Sequence, residues 1–493
     1  MERRAGLLRD TSGAYNQRFP SFPEEAWTGG ALTSFAACED KSARIKAALR
    51  AAKERYCAGD FNGLRRELRQ IRPCIPPEAR ALLGEWILLS SFAAYPNLAL
   101  MLKKLRAAAS MLGGPSAICR QPIELQYPDF MLLGFHSRPG RTEEELALFS
   151  QCALLYSELA DGCARGADVA ARAVLSYTRG DYDEAELHAY KACYQGENAG
   201  QLFVVMAAAA LLAHIAKYKS DLRGWNDAVA RLERTVSKIA DKEFAVVAQD
   251  VYRGELFNTL SCPALVAGWL KEGDFSSPAL AGPLRCYARF VHANTLLISG
   301  EYEKAAAAAQ AALAEKYMYA EMRHCFAEIY FNFITASALI CLGDKDGGAA
   351  CIAKAAETAV PDGHVLPFIE YAEILDGAGD RHLAAHSRRM LMKTKKIRGC
   401  FIRGRNMLHD AALLSRLPES LSGREKEIAA LAAAGLKNRE IAGRMFISEN
   451  TVKSHLKSIF KKLEIEKRTE LLKRLRSKSP SGAMIMTAVL LLV

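Results

Sequence analysis

Five polar residues near the C-terminus, Asn450, Lys453, Ser454, Lys457 and Lys461, share one face if the surrounding segment is helical. Lysine ammonium groups donate hydrogen bonds and carry charge, so this stripe suits guanine O6 and N7 edges and phosphate oxygens. A serine hydroxyl among them both donates and accepts. The other face of the segment is apolar, with Val452, Leu456, Ile459, Phe460 and Leu463. The chemistry on offer is recognition of a polyanion. Patterns that would point to catalysis are missing: the sequence contains no G-x-x-x-x-G-K-[ST], G-x-S-x-G or H-E-x-x-H.

Positioning such a helix requires a scaffold, and the flanking residues supply one. Ser422-Gly423-Arg424-Glu425 is a capping box that starts a helix, whose inner face is Ile428, Leu431 and Ala432 and whose end is marked by Gly435. A second helix is expected from about Asn438 to Phe446, with Ile441 and Met445 facing inward. Ile447-Ser448 then form a short turn, with Ser448 as N-cap of a third helix from about Glu449 to Leu463. A fourth helix is expected over about Lys467 to Arg476. Two helices, a tight turn and a helix exposing Lys, Asn and Ser make a helix-turn-helix.

These residues resemble the LuxR-type helix-turn-helix. The matching positions are Leu421-Ser422-x-Arg424-Glu425, Gly435-x-x-Asn438-Arg439-Glu440-Ile441-Ala442, Ile447-Ser448-x-x-Thr451-Val452-Lys453-x-His455 and Lys462-Leu463. The resemblance implies base contacts from Lys453, Ser454 and Lys457. It implies phosphate contacts from Asn438, Ser448, Thr451 and Lys461, with His455 either contacting phosphate or packing. It also makes Leu471, Leu472 and Leu475 dimer candidates, with intramolecular packing as the alternative. The sequence departs from the family at two places. Lys437 stands where a Ser or Thr N-cap is usual, so Asn438 is the substitute cap. Glu464 replaces the Gly that usually ends the recognition helix.

Charge is distributed to match. The 493-residue chain carries a net +11, but residues 388–479 alone hold 24 Lys and Arg against 9 Asp and Glu. The remainder is mildly acidic, so the excess positive charge is concentrated at the nucleic-acid-binding end. Within that end, Arg388, Arg389, Lys393, Lys395, Lys396, Arg398, Arg403 and Arg405 mark residues 388–416 as a basic linker, either a solvated connector or an added phosphate-binding arm.

Residues 30–387 read as helical almost throughout. A unit recurs in which an apolar helix gives way to Gly-Asp or Gly-Glu beside an aromatic, followed by an Ala-rich helix. Clear instances surround Gly59-Asp60-Phe61, Gly180-Asp181-Tyr182, Gly300-Glu301-Tyr302 and Gly343-Asp344; weaker ones lie at Gly224, Gly273-Asp274 and Gly379-Asp380. Glycine is expected to end one helix in a left-handed cap and the acid to open the next. Their spacing fits a period near forty residues, as in an α-solenoid. The segments Asp181-Tyr182-Asp183-Glu184-Ala185 and Glu301-Tyr302-Glu303-Lys304-Ala305 resemble tetratricopeptide-like repeats of the longer, MalT-type form, without the NTPase module usual in that group.

The expected architecture is all-α: a tetratricopeptide-like solenoid over 30–387, a linker over 388–416, a four-helix LuxR-type domain over 417–476 and an apolar tail over 477–493. The expected partners are double-stranded DNA, a second copy of the chain, and an effector (protein, peptide or small molecule) at the repeats. No catalytic residue, cofactor or metal site is expected. The helical pair His382 and His386 reads as a polar face, and Glu370, Glu373 and Asp376 as either a solvated face or a charged ligand pocket. Thirteen scattered cysteines without a C-x-x-C pair, the lack of an apolar signal region and the lack of a long apolar run suggest a cytoplasmic, nucleoid-associated protein with no membrane partner. The alternative is an interaction scaffold whose DNA contacts are secondary and non-specific.

Overall fold

The computed structural model describes residues 41–57, 60–95, 97–119, 134–277, 279–280, 282–314, 324–414, 420–433, 437–468 and 471. Among these residues the secondary structure is helical, with no strand. The helices are α1 (Lys41–Cys57), α2 (Phe61–Ile71), α3 (Arg80–Phe92), α4 (Leu98–Leu112), α5 (Thr142–Leu159), α6 (Ala167–Thr178), α7 (Tyr182–Asn198), α8 (Leu202–Lys219), α9 (Leu222–Ser237), α10 (Lys242–Thr259) and α11 (Gly268–Glu272). They continue as α12 (Gly282–Ile298), α13 (Tyr302–Ala314), α14 (Cys325–Cys341), α15 (Lys345–Asp362), α16 (Leu366–Glu370), α17 (Ala378–His386), α18 (Arg388–Leu414), α19 (Gly423–Ala433), α20 (Asn438–Met445) and α21 (Glu449–Leu463).

The chain divides into two compact units. One draws on residues 1–124, 151–163 and 276–282, the other on 125–150, 164–275 and 283–493. In the first, consecutive helices pair, α1 with α2 and α3 with α4. Buried Leu49, Leu64, Leu88, Leu89, Phe92 and Leu105 make its core. In the second, α6 packs on α7, α7 on α8, α8 on α9, α13 on α14 and α14 on α15. The short connections between these neighbours follow from their turn chemistry. Asp60, Asp221 and Asp344 each take the N-cap position and accept from the backbone N–H three residues on, that of Gly63, Gly224 and Gly347, at 2.8, 2.9 and 2.9 Å.

Gly180, Gly273, Gly300 and Gly343 adopt positive φ, as their turn positions require. Gly59 lies outside the described residues. Two weaker turn assignments need correction. Gly224 lies inside α9, and the left-handed residue before that helix is Ser220. Gly379 lies inside α17, where Gly377 is the left-handed one. In both cases a glycine next to an acid or aromatic belongs to the first turn of a helix, and another residue makes the bend.

Helix α8 is long and apolar enough to cross a membrane by length and composition, yet almost all of it is buried within the protein. It is the central helix of the larger unit. Its one buried lysine, Lys217, is compensated from several sides. The ammonium bonds the Thr259 hydroxyl, lies 3.4 Å from Glu370 Oε1, and sits 5.0 and 4.9 Å from the ring centres of Tyr218 and Phe401. Burial pushes the Lys217 ammonium pKa down, and the Glu370 carboxylate opposes that shift.

Residues 388–414, expected as a basic linker, are the continuous 27-residue helix α18. It is seated on α8, α16 and α17, with Met390, Thr394, Phe401, Leu408 and Ala412 buried. At Gly404 the seat is so close that a Cβ would overlap the carbonyl oxygen of Lys217. The basic side chains are partly consumed by acids of the body. Lys393 meets Asp181 at 2.6 Å, Arg398 meets Asp380 at 2.6 and 3.0 Å, and Arg405 meets Glu373 at 2.6 Å. The apolar positions at helical spacing explain why this segment is not a solvated connector: charge dominates its composition and hides a buried stripe.

Candidate nucleic-acid interface

The C-terminal domain starts where the capping box predicts. The backbone N–H of Ser422 donates to Glu425 Oε2 at 2.8 Å, and the backbone N–H of Glu425 donates to Ser422 Oγ at 3.3 Å. Leu421, Ile428, Ala429, Ala432, Ile441, Ala442, Met445, Val452, Leu456, Ile459, Leu463 and Ile465 bury together as one core. Leu471 is fully buried in the same core, which is the intramolecular packing that the sequence left as its alternative. Gly435, Leu472, Leu475, the apolar tail and most of the expected fourth helix lie outside the described residues.

Helix α21 begins at Ser448, whose Oγ accepts from the Thr451 backbone N–H at 3.0 Å and contacts the Thr451 hydroxyl at 2.8 Å. Burying Val452, Leu456, Ile459 and Leu463 turns the other face outward. Lys453, Ser454, Lys457 and Lys461 are exposed on it, and so are Ser448 and Asn450; Thr451 and His455 are half-buried. Lys453 has a loose ion pair with Glu449 at 3.7 Å, both side chains being well exposed, so its ammonium remains available to a ligand.

Asn438 does not cap α20. The N-cap position is Lys437, whose backbone N–H donates to Glu440 Oε2 at 2.6 Å. Asn438 instead accepts from Arg468 Nη1 at 3.2 Å through its side-chain oxygen. At the other end of the recognition helix, Glu464 takes the left-handed conformation at φ 52° that glycine would adopt more cheaply. Phe446, in the turn before that helix, is also left-handed and almost wholly exposed.

Three residues hold this geometry through contacts that no local signature announces. Glu425 accepts from Ser458 Oγ and Lys462 Nζ, each at 2.7 Å, so the acid that caps α19 also binds α21 to it. Lys462, the Ser422 backbone and Ser458 hold its carboxyl down to about 2. Arg424 donates to the carbonyl of Met445 at 2.5 Å, satisfying the end of α20. Arg468 donates to the Ala432 carbonyl at 2.9 and 3.1 Å while holding Asn438. Only the capping role of Glu425 is readable from spacing; the other contacts join segments that the sequence keeps apart.

Outside this domain, Glu370 and Glu373 line a cavity of about 360 Å³ with Glu255, Asn258, Asn294 and Arg405, whereas Asp376 does not. His382 and His386 stack at 4.2 Å on their helix, and His386 Nδ1 is 2.9 Å from the His382 carbonyl oxygen.

The comparisons with known proteins converge on the C-terminal domain. The family described as bacterial regulatory proteins, luxR family, matches residues 419–475. The CsgBAC operon transcriptional regulatory protein of Escherichia coli is 52% identical over 50 residues, 10% of this chain and 23% of that protein. The monoamine regulon transcriptional regulator of Klebsiella aerogenes is 45% identical over 58 residues, 12% and 26% of the two chains. The transcriptional regulatory protein LiaR of Bacillus subtilis is 46% identical over 52 residues, 10% and 25%. The chain thus spans about a quarter of the length of these relatives. Together with the packing of α19, α20 and α21, the match establishes residues 419–475 as a LuxR-type helix-turn-helix domain.

Proposed function

We propose that the protein is a sequence-specific transcriptional regulator that acts on DNA as a homodimer in the bacterial cytoplasm, under control of an effector or partner bound by its helical body. The observation that carries this reading is the exposed Lys453–Ser454–Lys457 stripe on a recognition helix whose other face is fully packed. In this reading those three residues contact bases, and Asn438, Ser448, Thr451, His455 and Lys461 contact phosphates. Leu472 and Leu475 pair the two copies. The names of the similar proteins, all regulators, support the assignment.

Residues 30–387 are read as tetratricopeptide-like repeats that receive the signal. The cavity between Glu255, Glu370 and Arg405 is a suitable place for a polar effector, because Arg405 lies on α18, the helix that leads to the DNA-binding domain.

The test is selection of binding sites from randomised duplex DNA by the full-length protein, beside Lys453→Ala/Lys457→Ala. A sequence-specific regulator should yield a roughly two-fold-symmetric motif that the variant loses. If each subunit neutralises roughly three to five phosphates, log K against log[salt] should slope by about −5 to −9. Salt-sensitive binding without a motif would favour the interaction scaffold instead, and a slope near zero would overturn both DNA-binding readings.

A further inference from the structure

In the interior of the larger unit, three segments outside residues 419–475 bring together side chains that the function above does not use. His136 lies just before α5, Asp362 ends α15, and His364 lies in the turn that follows. All three are buried, and one ligand atom from each lies within 4.8 Å of the others. We propose that His136, Asp362 and His364 form a binding site for a divalent ion of the zinc class.

The first argument is orientation. His136 Nδ1 is 2.8 Å from Glu145 Oε2. Glu145 is itself fixed, accepting from the Ser137 backbone N–H at 3.2 Å, from Ser137 Oγ at 2.9 Å and from Arg138 Nε at 3.1 Å. A carboxylate that receives the Nδ1 proton leaves Nε2 as the ligand atom, the arrangement that orients histidines at metal centres. His136 Nε2 faces Asp362 Oδ2 at 3.3 Å. Two donors bound at about 2.0–2.2 Å to one tetrahedral ion stand about 3.3–3.6 Å apart.

The second argument is an orphan. His364 Nδ1 is engaged by Thr178 Oγ1 at 3.0 Å, while its buried Nε2 has no hydrogen-bond partner. A fully buried ring nitrogen without a partner is costly. An ionic bridge from His136 to the two carboxylates would account for His136, Glu145 and Asp362 but not for this atom. An ion accounts for all of them. Asp362 is preorganised by the backbone N–H groups of Gly140 and Thr142 at 2.6 and 3.1 Å, and Phe326 packs against the His364 ring with centres 4.9 Å apart. Two imidazoles and a carboxylate select zinc-like ions over magnesium or calcium, and leave one tetrahedral position for a water or a fourth donor. The ion would tie the entry of α5 to the exit of α15.

The test uses tag-free, full-length protein. Metal content is measured as purified, after dialysis against a chelator and after return of zinc, with a thermal melt at each stage. The expected results are one tightly held zinc, a lower melting temperature after chelation and recovery with zinc. Cobalt in its place should give a tetrahedral spectrum dominated by nitrogen and oxygen donors, with at most one thiolate, from Cys325 beside His136. His364→Gln, which keeps a hydrogen-bonding group for Thr178, should weaken zinc binding at least tenfold, and Glu145→Gln roughly 10–100-fold. Wild-type protein that holds no zinc and melts identically with chelator overturns the proposal. So does zinc binding unchanged in folded His364→Gln, or a cobalt spectrum dominated by thiolate. If His364→Gln fails to fold, the wild-type chelation melt and the cobalt spectrum still decide.

Discussion

Helices α18 and α21 are both rich in lysine and arginine, and the structure treats their charges in opposite ways. On α18, Lys393, Arg398 and Arg405 are met by Asp181, Asp380 and Glu373 of the body, and the apolar stripe beneath them is buried. On α21 the acids are few and peripheral, and Lys453, Lys457 and Lys461 face solvent. A count of basic residues cannot separate the two cases; the location of the nearest carboxylates can. The positive charges of α18 are largely met by carboxylates of the body, whereas those of α21 are left to solvent.

This contrast is broken most severely by unseating α18. Gly404→Ala forces a methyl group into the carbonyl of Lys217 and is expected to cost about 2–3 kcal/mol of stability, read as a lower denaturation midpoint. A variant of unchanged stability would mean that α18 is not held where its paired charges indicate. Lys453→Ala/Lys457→Ala should leave the melt unchanged and remove on the order of 1–3 kcal/mol of discrimination at each base that a lysine reads, measured by competition between selected and scrambled DNA. The same change at Lys395 and Lys396, exposed on α18, should leave the selected motif intact. If both pairs act alike, the contrast between the helices fails.

A smaller effect is expected at Glu425. Its folded-state carboxyl is held at about 2, below the ordinary value, so its stabilisation is complete above the normal carboxylate range and disappears as pH falls from that range towards 2. Glu425→Gln should therefore speed amide hydrogen exchange in α19 and α21 at neutral pH, by about 1–2 kcal/mol in opening free energy, with the difference shrinking as pH falls through about 2. The smallest effect belongs to Lys393→Gln, which removes an exposed ion pair with Asp181. A change within about 0.5 kcal/mol is expected, and a larger one would show that α18 is docked by its ion pairs more than by its apolar stripe.

What can be read from the sequence follows the range of the interactions. The caps at Ser422 and Ser448 and the apolar face of α21 depend on residues three or four apart, and each appears where its spacing predicts. Arg468 carries no such signal, because it serves a carbonyl and an amide on two other helices. The left-handed Phe446 carries no such signal either, whereas Glu464 stands where the family resemblance places a glycine, and it adopts the left-handed conformation that glycine would take. Nor does the sequence suggest a metal site, and the histidines of the body give the reason. His136 and His364 come from distant segments, and the only histidine pair at ligand-like spacing, His382 and His386, is a stacked helical face.

The length of α18 has a mechanical consequence. Twenty-seven residues at about 1.5 Å each make a shaft of about 40 Å. It is bedded from Met390 to Ala412 and keyed at Gly404 against a backbone carbonyl. A shaft held in this way cannot flex in the middle without opening its bed. In the regulator proposed above, a signal that passed along this helix to α19 would move the helix as a whole rather than bend it at its middle.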